Sequence, residues 1–146
     1  MVESSAGAMA EPARIVLNHT IVPVSDKDAG AAFFAQLLGL AVGSQTGPFV
    51  PVRVNADLTF DFDDRGRAEP GHYGFLVDDA VFDGVLNRLA GRPDIAFGSG
   101  PAGGWDRRVD RLGGGRGVYV LSPEGHSYEF FTAAPPPSPN RPTTSR

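Results

Sequence analysis

The chain contains an internal repeat, and this repeat constrains the fold more than any other feature of the sequence. His19 lies seven residues before Asp26, and His72 lies seven residues before Asp79. Both aspartates suit a helix N-cap, and each opens an amphipathic segment that ends at a glycine about twenty residues after the histidine. A strand–helix unit that occurs twice in a short chain indicates two equivalent modules that share one core.

Two acidic residues extend the repeat. Asp61 stands in the segment LTFDF and Glu129 stands in SYEFF, so aromatic residues flank each acid. Because alternate residues of a strand face opposite sides, each acid should point away from the face that its aromatic neighbours bury. The spacing from histidine to acid is longer in the second half, and a glycine-rich segment over residues 98–115, which we interpret as a long loop, accounts for the difference.

The equivalent positions predict a metal site. Two modules related by a pseudo-dyad would present their histidines and acids to one point, so we predict that His19, His72 and Glu129 hold one divalent metal ion, with Asp61 as a fourth ligand. Imidazole and carboxylate ligands suit Fe, Mn, Ni, Co or Zn. The alternatives are hydrogen-bonded structural histidines and, for Asp61, a solvated acid at a sheet edge. His126 follows a turn, and we expect it to be exposed rather than a ligand.

Composition excludes several other classes of protein. The chain has 146 residues, a net charge of -4 and no cysteine, so disulfides, thiolate nucleophiles and Cys-type zinc sites are excluded. No cluster of Lys and Arg indicates nucleic-acid binding. No apolar run approaches the roughly 20 residues that span a bilayer, and the first residues lack a signal-peptide pattern, so we expect a cytoplasmic protein without a membrane partner.

Composition and turn-forming residues predict the domain organisation. We expect a flexible leader over residues 1–12, a first module over residues 13–66, a second module over residues 67–133, and a disordered Pro-, Ser- and Thr-rich tail over residues 134–146.

Within the modules, hydrophobic periodicity predicts two helices and a series of strands. One helix starts at Ser25–Asp26 and ends at Gly39, and the other starts at Asp78 or Asp79 and ends at Gly91. The expected strands cover residues 13–24, 40–43, 49–54, 57–63, 72–78, 95–97, 116–122 and 127–132.

Three segments carry a resemblance to a known family. They are LNHTIVPVSDKDAGAAFFAQLLGL, GHYGFLVDDAVFDGVLNRL and GGGRGVYVLSPEGHSYEFFT. Together they resemble the vicinal oxygen chelate superfamily, which includes glyoxalase I, extradiol dioxygenases, and fosfomycin- and bleomycin-resistance proteins. The resemblance implies an α+β fold in which two βαβββ modules form a curved mixed sheet, a half-barrel, around a metal site.

The run over residues 119–129 is similar to the extradiol dioxygenase signature, with Tyr119 ten residues before Glu129 and a Pro-x-Gly turn between them. Ser122 stands where an Asp is usual, and glycines and an arginine over residues 113–117 stand where that pattern has a proton-transferring His. The motifs NHTIVPV and GGGRGVY are most similar to a subgroup that includes the ring-rearranging dioxygenase of chartreusin biosynthesis.

The resemblance implies a non-haem Fe(II)-dependent dioxygenase that uses O2 to cleave or rearrange a polycyclic aromatic or phenolic substrate. Because a sheet of this kind exposes its edges, we also expect a homodimer, and the sequence leaves open whether the metal site forms within one chain or across two. Tyr119 is the candidate hydrogen-bond donor to substrate, or else a core aromatic. Phe49, Arg53 and Trp105 are candidates for the pocket lining. Trp105 lies on the glycine-rich loop, where it would suit a lid, a cover of the barrel mouth or a dimer contact.

Two alternatives belong to other classes. A glyoxalase-like lyase or isomerase would use Ni, Zn or Mn, would need no O2, and fits a ligand set that includes Asp61. A drug-binding resistance protein would bind its ligand without catalysis. Intact His19, His72 and Glu129 argue against this last reading.

Overall fold

The computed structural model describes residues 13–134, so the predicted leader and the tail from residue 135 onward lie outside the described residues. The strands and helices follow one another in the order that the repeat predicts. They are β1 (His19–Pro23), α1 (Lys27–Leu38), β2 (Val50–Arg53), β3 (Thr59–Asp63), β4 (His72–Leu76), α2 (Asp79–Ala90), β5 (Phe97–Gly98), β6 (Gly117–Leu121) and β7 (Ser127–Phe131).

The strands form two mixed sheets that do not close into a barrel. The first has the order β1-β3-β2 and the second the order β4-β7-β6-β5. In each sheet the first strand pairs with the last in parallel, and the remaining pairs are antiparallel. The second module is thus a complete βαβββ unit. In the first module one strand is reduced to a single bridge between Val42 and Val52. The predicted α+β class is confirmed.

The register of the two parallel pairs shows that the repeat is structural. In the first sheet the residue two positions after His19 pairs with Asp61. In the second sheet the residue two positions after His72 pairs with Glu129. The two histidines and the two acids therefore occupy equivalent places, although the sequence spacing between them differs.

A single aromatic core joins the modules. Phe34 of α1 is fully buried. Its ring centroid lies 4.8 Å from that of Phe60 in the first sheet. It lies 5.7 Å and 5.1 Å from those of Phe75 and Tyr128 in the second sheet. Because one side chain packs against both sheets, neither module has a core of its own.

The helix ends follow the predicted capping chemistry. The side chain of Asp26 accepts a hydrogen bond from the amide of Ala29 at 3.0 Å, and that of Asp78 accepts one from Val81 at 2.8 Å. The second N-cap is therefore Asp78 rather than Asp79. Gly39 ends α1 with a φ of 70°, a left-handed conformation that favours glycine.

Three predicted strands differ from the structure. The first strand begins at His19, because residues 13–18 pair with no other strand along their length. The segment over residues 40–43 contributes only the Val42 bridge. The short strand predicted over residues 95–97 is Phe97–Gly98 instead. Within residues 13–134 no helix is long and apolar enough to cross a membrane.

Candidate metal and substrate site

The strand alternation places the acids on the open faces of the sheets. Phe60, Phe62, Tyr128 and Phe130 are buried, with exposed fractions of 2% or less. Asp61 and Glu129, which alternate with these aromatics, lie on the opposite faces and are half-buried. The expectation drawn from the aromatic flanks of each acid agrees with this placement.

His72 and Glu129 form the centre of the candidate site. The Nε2 atom of His72 lies 3.0 Å from Oε1 of Glu129, across the parallel pair β4–β7. The two side chains are 53% and 23% exposed. An imidazole nitrogen and a carboxylate oxygen thus converge on one point of an open face, and both are ligand types that divalent transition metals accept.

Tyr119 borders this pair. It pairs with Glu129 across β6 and β7, and its ring centroid lies 6.0 Å from that of His72. Its neighbours Val118 and Val120 are fully buried on the other face. Burial raises the pKa of Tyr119, and the negative charge of Glu129 and a hydrogen bond to that carboxylate raise it further. The phenol is therefore protonated at neutral pH and faces the Glu129 carboxylate as a hydrogen-bond donor.

His19 and Asp61 lie on the open face of the first sheet. His19 is exposed, and its Nδ1 atom lies 3.0 Å from Oδ1 of Asn18. Over residues 13–134, no three His, Asp or Glu side chains lie close enough together to hold a metal ion. One chain thus brings His72 and Glu129 together, but it does not add His19 or Asp61 to them. The shared four-residue site stays a prediction.

The donor atoms of His72 and Glu129 suit a metal ion, and a glycine stands next to them. Gly74 pairs with Glu129, and a Cβ atom built at Gly74 would lie 3.7 Å from Oε1 of Glu129. Since Gly74 has no side chain, the position directly paired with Glu129 leaves space beside the carboxylate, which His72 of the same strand contacts from one side. His72 and Glu129 therefore fit two positions of a ligand set that leaves other positions free for further ligands.

Two of the predicted pocket residues belong to the first module. Arg53 is exposed on β2, and its guanidinium donates hydrogen bonds to the carbonyl oxygens of Asn55 and Ala56 at 2.9 Å and 3.0 Å. Phe49 lies just before β2, and the guanidinium carbon of Arg65 lies 5.4 Å from its ring centroid. Neither residue contacts the His72–Glu129 pair through these interactions, so their binding role stays a prediction.

Trp105 lies on a turn that covers the second sheet. Gly98 pairs with Tyr119, and directly paired residues project to the same face. A Cβ atom at Gly98 would lie 2.5 Å from the amide nitrogen of Asp106. The Trp105–Asp106 turn therefore rests on β5, on the face that carries Tyr119. Asp106 fixes this turn, since its carboxylate accepts hydrogen bonds from the amide and hydroxyl of Ser99 at 2.9 Å and 2.8 Å.

His126 differs from the expectation. The prediction of an exposed side chain is wrong, because His126 is fully buried. Its Nδ1 atom accepts a hydrogen bond from the amide of Gly71 at 2.9 Å, and its Nε2 atom lies 2.6 Å from the carbonyl oxygen of Pro23. A histidine directly before a strand and after a Pro-Glu-Gly turn gave no sequence signal for these partners.

Solved structures share both the fold and the sequence pattern. The oxidase ChaP-H2 is 38% identical, with a TM-score of 0.74, over 83% of this chain and 95% of that chain. The oxidase ChaP-H1 is 41% identical, with a TM-score of 0.74, over 83% of this chain and 98% of that chain. This chain belongs to the vicinal oxygen chelate superfamily.

A more distant solved structure shares the fold. A lactoylglutathione lyase from Agrobacterium tumefaciens has the same fold, with 21% identity and a TM-score of 0.61, over 84% of this chain and 96% of that chain. No protein-family model matches the chain, and no curated protein matches it. The relatives named as oxidases indicate an enzyme of the vicinal oxygen chelate superfamily.

Proposed function

We propose that this protein is a metal-dependent oxygenase that binds Fe(II) and acts with O2 on a polycyclic aromatic or phenolic compound. The observation that carries the proposal is the convergence of His72 and Glu129 on an open sheet face beside the protonated Tyr119. Similarity to the two ChaP oxidases supports an oxidation, because both exceed 35% identity over most of this chain.

A homodimer would complete the metal site. His72 and Glu129 provide two ligands, and the partner's His19 would provide the third, with the partner's Asp61 as a fourth. Apolar side chains beside His19 support a second copy at this place. Ile15, Leu17 and Ile21 are 88%, 68% and 49% exposed in the single chain. Such neighbouring apolar surface favours burial in an interface, and closed two-fold dimers are the commonest assemblies.

When bound, the metal would supply Lewis acidity and open positions for oxygen-containing ligands. The residues of the chain itself have three tasks. His72 and Glu129 hold the ion on the second sheet. Tyr119 holds a proton on its phenol, which donates to Glu129 or to an oxygen atom of the substrate. The Trp105–Asp106 turn covers the face beside Tyr119 and limits the access of water.

The test is metal content and oxygen uptake. Protein purified without oxygen should bind one Fe(II) per site, and His72→Ala and Glu129→Ala should each lose most of this iron. Asp94→Ala, which removes an exposed ion pair with Arg92, is the control. The iron-loaded protein should consume O2 with at least one member of a panel of hydroxylated polycyclic aromatics. Equal iron in all variants would remove the proposed site.

A glyoxalase-like lyase or isomerase is the second candidate. The observation that favours it is the equivalent register of Asp61 and Glu129, which offers an acid from each module. A lyase of this kind would be active with Ni, Zn or Mn, would consume no O2 and would depend on an added thiol. Oxygen uptake and thiol dependence separate the candidates, because the oxygenase consumes O2 with its substrate and the lyase does not, whereas Asp61→Asn tests only whether Asp61 is a ligand.

A further inference from the structure

We propose that His126 is a positioning residue, which fixes strands β1 and β4 relative to each other and thereby fixes the two histidines that these strands carry. The inference rests on the proposed metal site and names a residue that supports it without touching the metal. His126 comes from the turn between β6 and β7, so three separate segments of the chain meet at one imidazole ring.

The hydrogen bonds define the state of the ring. Nδ1 of His126 accepts from the Gly71 amide at 2.9 Å, so this nitrogen carries no proton. Nε2 then carries the proton and donates to the carbonyl oxygen of Pro23 at 2.6 Å. Both ring nitrogens are thus used by the backbone, and His126 is not available as a metal ligand.

The position of these two backbone groups gives the bridge its importance. Pro23 is the last residue of β1, which begins at His19. Gly71 directly precedes His72, the first residue of β4. The bridge therefore links the two modules at strands that both begin with a predicted ligand. Metal-binding side chains must be held to about 0.5 Å, so a shift of β4 would move His72 in one site of the proposed dimer and a shift of β1 would move His19 in the other.

Burial makes the bridge strong, and the turn makes it rigid. His126 is fully buried, so loss of the imidazole would remove the partner that the Gly71 amide and the Pro23 carbonyl have within the fold. Ser122 holds the backbone of His126 in place. Its amide donates to the His126 carbonyl at 2.8 Å, and its hydroxyl accepts from the His126 amide at 3.0 Å. The ring therefore has little freedom to follow a moving strand.

The test uses three substitutions in the full-length protein. His126→Leu removes both hydrogen bonds. His126→Asn places an amide oxygen near the position of Nδ1, so it should keep the bond to Gly71 and lose the bond to Pro23. His126→Gln places an amide nitrogen near the position of Nε2, so it should keep the bond to Pro23 and lose the bond to Gly71. Val85→Ala, a fully buried change in α2, is the control for stability loss alone.

Cobalt(II) serves as the probe, because its visible spectrum reports ligand geometry. We expect His126→Leu to bind cobalt roughly tenfold more weakly, as loss of outer-shell support does at metal sites, and to shift the spectrum. His126→Asn and His126→Gln should retain part of the affinity. Val85→Ala should lower the melting temperature while leaving affinity and spectrum unchanged. Equal affinity and spectrum in wild type and His126→Leu would overturn the positioning role.

NMR separates a failure of this inference from a failure of the metal site. In the wild type, the nitrogen-15 shifts of His126 should show a proton on Nε2 alone, and the Gly71 amide should exchange slowly with solvent. Fast exchange at Gly71 in His126→Leu and His126→Gln, but not in His126→Asn, supports the bridge. A wild type that binds no cobalt would refute the metal site, and unchanged Gly71 exchange in His126→Leu would refute the bridge.

Discussion

Ile21 and Gly74 occupy the same position in the two modules, since each pairs with the acid of its own sheet, Asp61 and Glu129 respectively. The two positions differ in volume. The position on β1 that pairs with Asp61 carries a branched side chain, whereas the position on β4 that pairs with Glu129 carries none. The repeat is therefore equivalent in register but unequal in shape, and the free space lies on the side of the second module.

This asymmetry predicts the effect of filling the space at Gly74. A Cβ atom there meets the Phe131 ring at 3.4 Å and Glu129 at 3.7 Å, which are ordinary contacts, so Gly74→Ala should fold and bind metal normally. Gly74→Ile would place three more carbon atoms beside the carboxylate. We expect it to bind cobalt at least about tenfold more weakly in calorimetry, an effect of the size seen when metal-site surroundings are changed.

Gly117→Ile is the control for Gly74→Ile, because Gly117 lies on the same face but pairs with Phe131 instead of Glu129. If both isoleucine variants bind cobalt equally well, the space beside Glu129 has no part in metal binding.

The charge of Glu129 should contribute measurably to the pKa of Tyr119. Burial raises the pKa of Tyr119 first, and Glu129 raises it further by its charge and hydrogen bond. Glu129→Gln removes the charge but leaves the burial, so the pKa of Tyr119 should fall while remaining above its usual value of about 10. Carbon-13 NMR of labelled tyrosine, followed from pH 8 to 12, measures this shift. An unchanged Tyr119 titration would mean that the two side chains are apart in solution.

Alkaline pH should destabilise the fold through its tyrosines. Burial is the largest cause of a raised pKa at Tyr73, Tyr119 and Tyr128. These groups hold their protons more tightly in the folded state, so their contribution is complete below the unfolded pKa of about 10 and is lost as the pH rises above it. Urea unfolding between pH 8 and 11 should show a falling free energy, with a smaller fall in Tyr128→Phe. A pH-independent free energy would contradict this assignment.

Asp106 should control the order of the loop that carries Trp105. Hydrogen bonds from Ser99, from its amide first and its hydroxyl second, lower the pKa of Asp106. The charged form therefore supports the loop above the ordinary Asp pKa of about 4, and this support is lost as the pH falls through the lowered value. Because the chain has one tryptophan, its fluorescence reports the loop directly.

We expect Asp106→Ala to shift the Trp105 emission to longer wavelength at neutral pH, since the half-buried indole gains water. Asp94→Ala, which removes a surface pair with Arg92, is the control and should leave the emission unchanged. Identical spectra for both variants and the wild type would show that Asp106 does not hold the turn.

A side chain at Gly39 should destabilise the fold. Its φ is 70°, and a Cβ atom there would lie 2.5 Å from a guanidinium nitrogen of Arg88, whose other nitrogen donates to the Leu37 carbonyl at 2.9 Å. Gly39→Ala should cost about 1 to 2 kcal/mol from backbone strain, plus the loss of this link between helices. Gly47→Ala, at a φ of 58° with open space around it, isolates the strain. Equal losses in urea unfolding would show that Arg88 moves away freely.

The sequence predicts the parts of this molecule that depend on local pattern. Capping aspartates, the glycine that ends α1 and the alternation around Asp61 and Glu129 all act within a few residues, so periodicity and capping chemistry are sufficient to find them. The equivalence of the two histidines also follows from spacing, because the register repeats.

Contacts between residues that are far apart in the sequence could not be predicted from it. The burial of His126 depends on backbone groups 55 and 103 residues away, which no local pattern encodes. The start of the first strand at His19 depends on where its partner strand begins. A repeat also does not reveal how its two open faces are oriented. The sequence therefore could not predict that His72 and Glu129 meet in one chain whereas His19 lies apart from them.

The glycine-rich insertion between β5 and β6 has an evolutionary consequence. It lengthens the separation of histidine and acid from 42 residues (19 to 61) in the first module to 57 in the second. Loop-closure entropy grows only with the logarithm of loop length, so each doubling of this loop costs about 0.6 kcal/mol. Mutation can therefore add, remove or rewrite residues in this segment with little penalty to folding, while the sheets preserve the ligands. Descendants of such a chain can acquire new substrates through one segment, without rebuilding the scaffold beneath it.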